Sequence, residues 1–113
     1  MNNKIILENA NKAITKGDHE TFLSYLTDDI IWTFVGEQVI SGKDQVRRYI
    51  NDTYRQPPKF DVETLIEEGN YVTAVGRIAL MNKNDEWIEY NYCDIWRFED
   101  AKMAELKAFV IKI

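Results

Sequence analysis

Beyond Pro57-Pro58 the sequence changes rhythm. From Lys59 onward apolar side chains recur at every second position, the mark of strands with one buried face. "KFDVETLIEEG" is the first such run, Gly69-Asn70 a turn, "YVTAVGRIALM" the second run and "NKND" at 82–85 another turn. "EWIEYNYCDIWRFE" and "KMAELKAFVIKI" follow, joined by the tight link Asp100-Ala101. Runs of eleven to fourteen residues are long against the usual strand of about five or six. Antiparallel strands of that length must twist and bend, commonly at a bulge or a glycine, and Gly76 is the expected bend point.

The first half reads differently. Ile6, Ala10, Ala13 and Ile14, with Leu7 beside them, recur at helical spacing over about 3–16, up to Gly17. Asp18 fits an N-cap for the helix "HETFLSYL", and His19 falls in its first turn as an exposed residue. Ile30–Val35 reads as a strand behind a charged turn, and "EQVIS" as a shorter extended piece. In "SGKDQVRRYINDTYRQPP", Ser41 and Asp44 have the spacing of a capping pair; Val46, Tyr49, Ile50, Thr53 and Tyr54 form one helical face that the prolines end. Three helices, two strands and a four-stranded meander make an α+β fold. The expected architecture is a curved, mostly antiparallel sheet forming a cone, closed by the three helices and hollow at its centre.

Composition narrows the function. The 113 residues suit one domain, 1–113, with a real core. A net charge of −5 disfavours phosphate backbones, so no nucleic-acid partner is expected. The lone Cys93 cannot form an internal disulfide or supply a cysteine-based zinc site, and one histidine makes a transition-metal site implausible. "DD" at 28–29 and "EE" at 67–68 read as turn and strand-end solvation, not as paired catalytic carboxylates. No signal-peptide pattern opens the chain and no run is apolar enough to span a bilayer, so a cytoplasmic location with no membrane partner is expected.

One side chain breaks the pattern. Every second residue from Ile88 gives Ile88, Tyr90, Tyr92, Asp94, Trp96 and Phe98: a carboxylic acid in an otherwise greasy row. Such surroundings disfavour the ionised form. Asp94 is therefore the candidate acid or base, with Tyr92 beside it and Tyr90, Tyr49 and Tyr54 as partners able to hold or receive charge. Trp32, Phe34, Tyr92, Leu106, Ala108 and Val110 are the expected pocket wall, small Ala108 opposite large aromatics hinting at empty volume. A carboxylate tied to a neighbour to hold the strand in register is the competing reading of Asp94. The opposite row, Trp87, Glu89, Asn91, Cys93, Ile95 and Arg97, mixes apolar and polar residues and suits a homodimer contact through the outer sheet face.

The stretches "KGDHETFLSYLTDDIIWTFVG" to "SGKDQVRRYI" and "YNYCDIWRFEDAKMAELKAFV", with the element order, resemble the nuclear transport factor two-like superfamily, in its SnoaL-like and ketosteroid isomerase-like branch. The resemblance spans essentially the whole chain and implies a cystatin-like cone. It puts Asp94, in "DIWRF", at the oxyanion-hole acid of the steroid isomerases, where an apolar site holds a carboxylic acid neutral. The general-base position falls on Phe34 and the oxyanion-hole tyrosine position on Ala10, so steroid isomerisation of that type is not expected. Val110 and Ile111 stand where many SnoaL-like chains carry a further carboxylate. The resemblance thus implies a binder of a small apolar or aromatic molecule. If catalytic, it would be a cofactor-free isomerase, cyclase or dehydratase using Asp94. The alternative is a non-catalytic dimeric binding or protein-interaction module with Asp94 structural.

Overall fold

The computed structural model describes residues 2–113. The order is α1 (Asn3–Thr15), α2 (His19–Ser24), β1 (Leu26–Phe34), β2 (Gln38–Ser41), α3 (Lys43–Thr53), β3 (Lys59–Glu68), β4 (Tyr71–Met81), β5 (Trp87–Glu99) and β6 (Lys102–Lys112). The strands form one curved sheet in the order β2-β1-β6-β5-β4-β3. All pairs are antiparallel except β1 with β6. No helix among the described residues is long and apolar enough to cross a membrane.

The helices lie where their apolar faces demand. Ile6, Leu7, Ala10, Ala13 and Ile14 of α1 are buried, and α1 packs on α2 and β3. The Asn2 side chain accepts the Ile5 amide at 3.0 Å, and Glu67 of β3 accepts the Lys4 amide at 3.3 Å. Glu67 thus caps a helix instead of merely solvating a strand end. Asp18 caps α2 as expected, accepting the Thr21 amide. Arg47 of α3 clamps Glu20 of α2, at 2.9 and 3.1 Å, and Asp44 on its own helix, at 2.6 Å. His19 meets Asn51 at 2.9 Å, a link between α2 and α3.

Three local expectations fail. The second helix stops at Ser24, because Leu26 already pairs with Met103 in the sheet. β1 therefore starts four residues earlier than its apolar run, and Asp28-Asp29 lie within a strand, not a turn; Asp28 is 3.4 Å from Lys43. The Ser41–Asp44 capping pair does not form. Ser41 belongs to β2, Gly42 (φ 88°) is the N-cap without a side-chain bond, and Gln45 reaches back to the Ser41 amide at 3.1 Å. The positive φ of Gly42 is a backbone state that glycine adopts without steric cost.

Curvature has identifiable sources. β3 slips register between Val62 and Thr64, leaving Glu63 as an extra residue opposite Gly76 of β4, and β6 slips between the partners of Arg97 and Phe98. The β5–β6 link is a two-residue turn with Asp100 (φ 48°) and Ala101 (φ 65°) both left-handed, the geometry whose twist matches flanking strands. The inner face carries the core; the three helices cover one end of the cone and leave a hollow against the middle of β5.

Candidate functional site

Asp94 occupies the floor of that hollow because of its cross-strand neighbours. Across β4 it faces Ala74 and across β6 it faces Ala108, both buried. Directly opposed side chains on one sheet face touch, so two alanines leave the space around the carboxyl unfilled. One register step further, Gly76 faces Tyr92, and Phe60 of β3 meets the Tyr92 ring edge-on at 5.7 Å. One step the other way, Trp96 lies between Val72 and Leu106, and Trp32 of β1 lies beside Leu106. Large rings therefore stand around a strip of small residues. The cavity that results has a volume of about 320 Å³, at the lower end of the range for small-molecule sites.

All ten residues singled out from the sequence lie on its wall: Trp32 and Phe34 from β1, Tyr49 from α3 and Tyr54 just beyond it, Tyr90, Tyr92 and Asp94 from β5, and Leu106, Ala108 and Val110 from β6. Nine further residues complete it. Asn11, Ile14 and Phe22 come from α1 and α2, Phe60, Ile78 and Leu80 from β3 and β4, and Trp96 from β5; Glu37 and Thr53 are exposed at the mouth. Ile78 and Leu80 could have been inferred from the register that the "NKND" turn imposes on β4 and β5. The helical contributors carry no signal separating them from ordinary core. Ala10, fully buried, is not on the wall. Cys93 faces the other side of the sheet, where burial pushes its thiol upward, away from nucleophilic reactivity.

The wall is a belt of rings. Trp32 meets Phe22, Phe34, Tyr49 and Trp96 with centroids 6.0 to 6.2 Å apart, all edge-to-face, and Tyr49 passes the contact on to Tyr54 at 6.2 Å. The Trp32 indole N–H and the Tyr92 hydroxyl are buried with no hydrogen-bond partner among the described residues. Each is a polar group left open at a site that is otherwise oily, and an unsatisfied buried donor costs about 1–3 kcal/mol.

Asp94 is the electrostatic centre. Part of its surface opens to the cavity, while protein encloses it on nearly every other side. Desolvation alone acts on it and raises its pKa to about 7; no hydrogen bond or opposite charge counters the shift. The phenols nearby move the same way. Burial, and then the Asp94 charge, pushes Tyr92 up, and burial, Tyr49 and Asp94 push Tyr54 up. The tyrosines therefore stay protonated and can only donate or accept a hydrogen bond, whereas Asp94 exchanges its proton near neutrality. Such a group suits general acid or base work. No cluster of three or more His, Cys, Asp or Glu able to hold a metal exists among the described residues.

The sequence profile of the SnoaL-like domain matches residues 7–106. The chain belongs to the SnoaL-like domain family. No curated protein matches the sequence significantly. Among solved structures, an NTF2-like protein of unknown function from Burkholderia pseudomallei is 18% identical, with a TM-score of 0.84 over 97% of this chain and 91% of that one. SalBIII, an epoxide hydrolase/cyclase-like enzyme of pyran ring formation in the polyether salinomycin, is 18% identical, with a TM-score of 0.86 over 96% and 89%. An LEH-like epoxide hydrolase of M. tuberculosis is 16% identical, with a TM-score of 0.83 over 93% and 79%. At these identities the likeness is one of fold: this SnoaL-like chain has the NTF2-like cone.

Proposed function

We propose that the chain binds a compact apolar or aromatic molecule in the Asp94 cavity and acts on it by cofactor-free proton transfer, with Asp94 as the acid or base. The observation that carries this reading is the solitude of Asp94. A buried carboxylate that serves the fold is tied to a donor or a cation; this one has neither among the described residues and faces the cavity. A structural role, which would leave the chain a non-catalytic binding module, lacks that tie. Tyr92 and Trp32 are the groups available to hold charge that develops on a substrate. Isomerisation, cyclisation and dehydration are the reaction classes such a set serves, and the cyclase- and hydrolase-like neighbours in the fold support this range.

A homodimer through the outer sheet face completes the reading. There Val75, Cys93 and Phe109 stand in register across β4, β5 and β6, with Val75 37% and Phe109 39% exposed. Arg97, paired with Glu99 and Glu105, borders them. This pattern of apolar centre and charged rim is the anatomy of a subunit contact. The free thiol of Cys93 fits a reducing, cytoplasmic setting.

Kemp elimination of 5-nitrobenzisoxazole tests the chemistry without knowledge of the natural substrate. The probe is compact, aromatic and uncharged, and it needs only a desolvated base. Saturable turnover is expected, rising with pH through about 7 as Asp94 ionises and falling by about a hundredfold or more in Asp94→Asn. Turnover that is absent, or unaltered by the substitution, refutes the proposal.

A further inference from the structure

The cavity wall is one-sided in charge as well as rich in aromatic rings. Nine of the chain's fourteen aromatic residues (three Trp, six Tyr, five Phe) line it. Its charged wall residues are both carboxylates, Asp94 at the floor and Glu37 at the mouth; among the described residues no lysine, arginine or histidine lines it. The rest of the molecule adds the same sign, with nineteen acidic residues against fourteen basic. An anionic ligand would enter against this field with no donor cation to meet it. A wall of aromatic rings attracts the opposite sign, because each ring face carries partial negative charge.

We infer that the natural ligand is a compact organic cation, an aromatic or alicyclic amine bound as its ammonium among the rings and within reach of the field of the two carboxylates. The inference rests on the reading of the cavity as the ligand site and narrows it to a substrate class. At about 30 Å³ per water-sized unit, 320 Å³ admits roughly ten to fifteen non-hydrogen atoms. The alternative class, a neutral ketone or ether, would gain no binding energy from the charge of either carboxylate. A bound cation draws Asp94 into its ionised form and so assigns it the base role in the complex.

Binding followed through the fluorescence of Trp32 and Trp96 tests this with three probes of similar size. They are benzyltrimethylammonium, its uncharged isostere neopentylbenzene, and the anion phenylacetate. At about pH 8 the ammonium is expected to bind at least about tenfold more tightly than the isostere, with phenylacetate weakest. Asp94→Asn should remove most of that preference while changing the affinity of the isostere by less than about threefold. The titratable residues that share the wall with Asp94 are Tyr90 and Tyr92 from β5, Tyr49 from α3, Tyr54 just beyond α3, and Glu37 at the mouth; among the described residues the other elements contribute none. Burial raises the pKa of Tyr49, Tyr54 and Tyr92, so these phenols stay protonated. Affinity for the ammonium should therefore fall as pH drops below the Asp94 titration, levelling off near the affinity of Asp94→Asn, while that of the isostere changes by less than about threefold. Equal or tighter binding of the isostere or of phenylacetate overturns the inference and leaves the proposed chemistry standing. Failure of all three probes to bind overturns both.

Discussion

Asp94→Asn is expected to be more stable than the wild type at about pH 8, by on the order of 2 kcal/mol, and no more stable at about pH 4. The sign follows from linkage. The folded-state pKa of Asp94 is raised to about 7 from an ordinary 3.8, so between these values the folded protein holds a proton that the unfolded chain has released. Stability on account of this group is highest below about pH 4 and declines as pH rises, levelling off above about pH 7. The full shift corresponds to an upper bound of about 4 kcal/mol. The partial opening of Asp94 to the cavity and the unpartnered amide of the replacement both reduce the gain. Urea melts of the two proteins across this range check it, and the difference between their curves isolates Asp94 from every other titration. A melting temperature about 8 °C higher for the variant at the alkaline end is the corresponding thermal result. A variant less stable than the wild type at every pH would show that Asp94 is tied into the fold. Removal of a group that destabilises the fold and supports chemistry is the expected signature of a site residue.

The second large effect lies at Gly76. Its backbone is not in the left-handed region; what matters is the missing Cβ. A Cβ built there would sit 2.1 Å from the Asp61 carbonyl oxygen and 3.1 Å from both the Asp61 carbon and the Glu63 nitrogen. All three are backbone atoms of the β3 bulge, so no side-chain rotation relieves the clash. Gly76→Ala is expected to cost about 3 kcal/mol or more, the upper range for an overpacked site. The edge strand β3 must also move away from β4, taking Phe60 from its contact with Tyr92. Denaturant melts measure the first effect, and loss of probe binding in the surviving folded fraction measures the second. A variant as stable as the wild type would mean that the bulge does not press on this glycine.

The strands were easy to read because alternation fixes the face of each residue. That is why the sequence alone places Tyr90, Tyr92 and Asp94 on one wall, and Leu106, Ala108 and Val110 on another. Gly76 was legible as a bend, but the bulge at Glu63 was not. Its extra residue shifts the inward positions of β3 from Phe60 and Val62 to Leu65 and Glu67, and no local residue type announces it. The helical side of the cavity was half legible. Tyr49 and Tyr54 stood out as polar rings on an apolar face, whereas Ile14 and Phe22 look like any buried helical residue. Whether such a side chain meets the sheet or a void depends on how far the sheet curls, a property of all six strands together. The capping pair failed for a related reason: Ser41 had the right spacing but was already bound into β2. The missing partner of Asp94 is equally global, since it requires knowing that both cross-strand neighbours are alanines in exact register.

The most direct measurement is a carbon NMR titration of protein labelled at the aspartate carboxyl carbons, with Asp94 assigned by its absence in Asp94→Asn. The proton on Asp94 should leave with a midpoint of about 7, and the midpoint should fall when benzyltrimethylammonium fills the cavity. A midpoint near 4, where exposed aspartates titrate, would mean that this carboxyl is bathed in bulk water or paired with a cation, and the chemistry assigned to the hollow would have no basis.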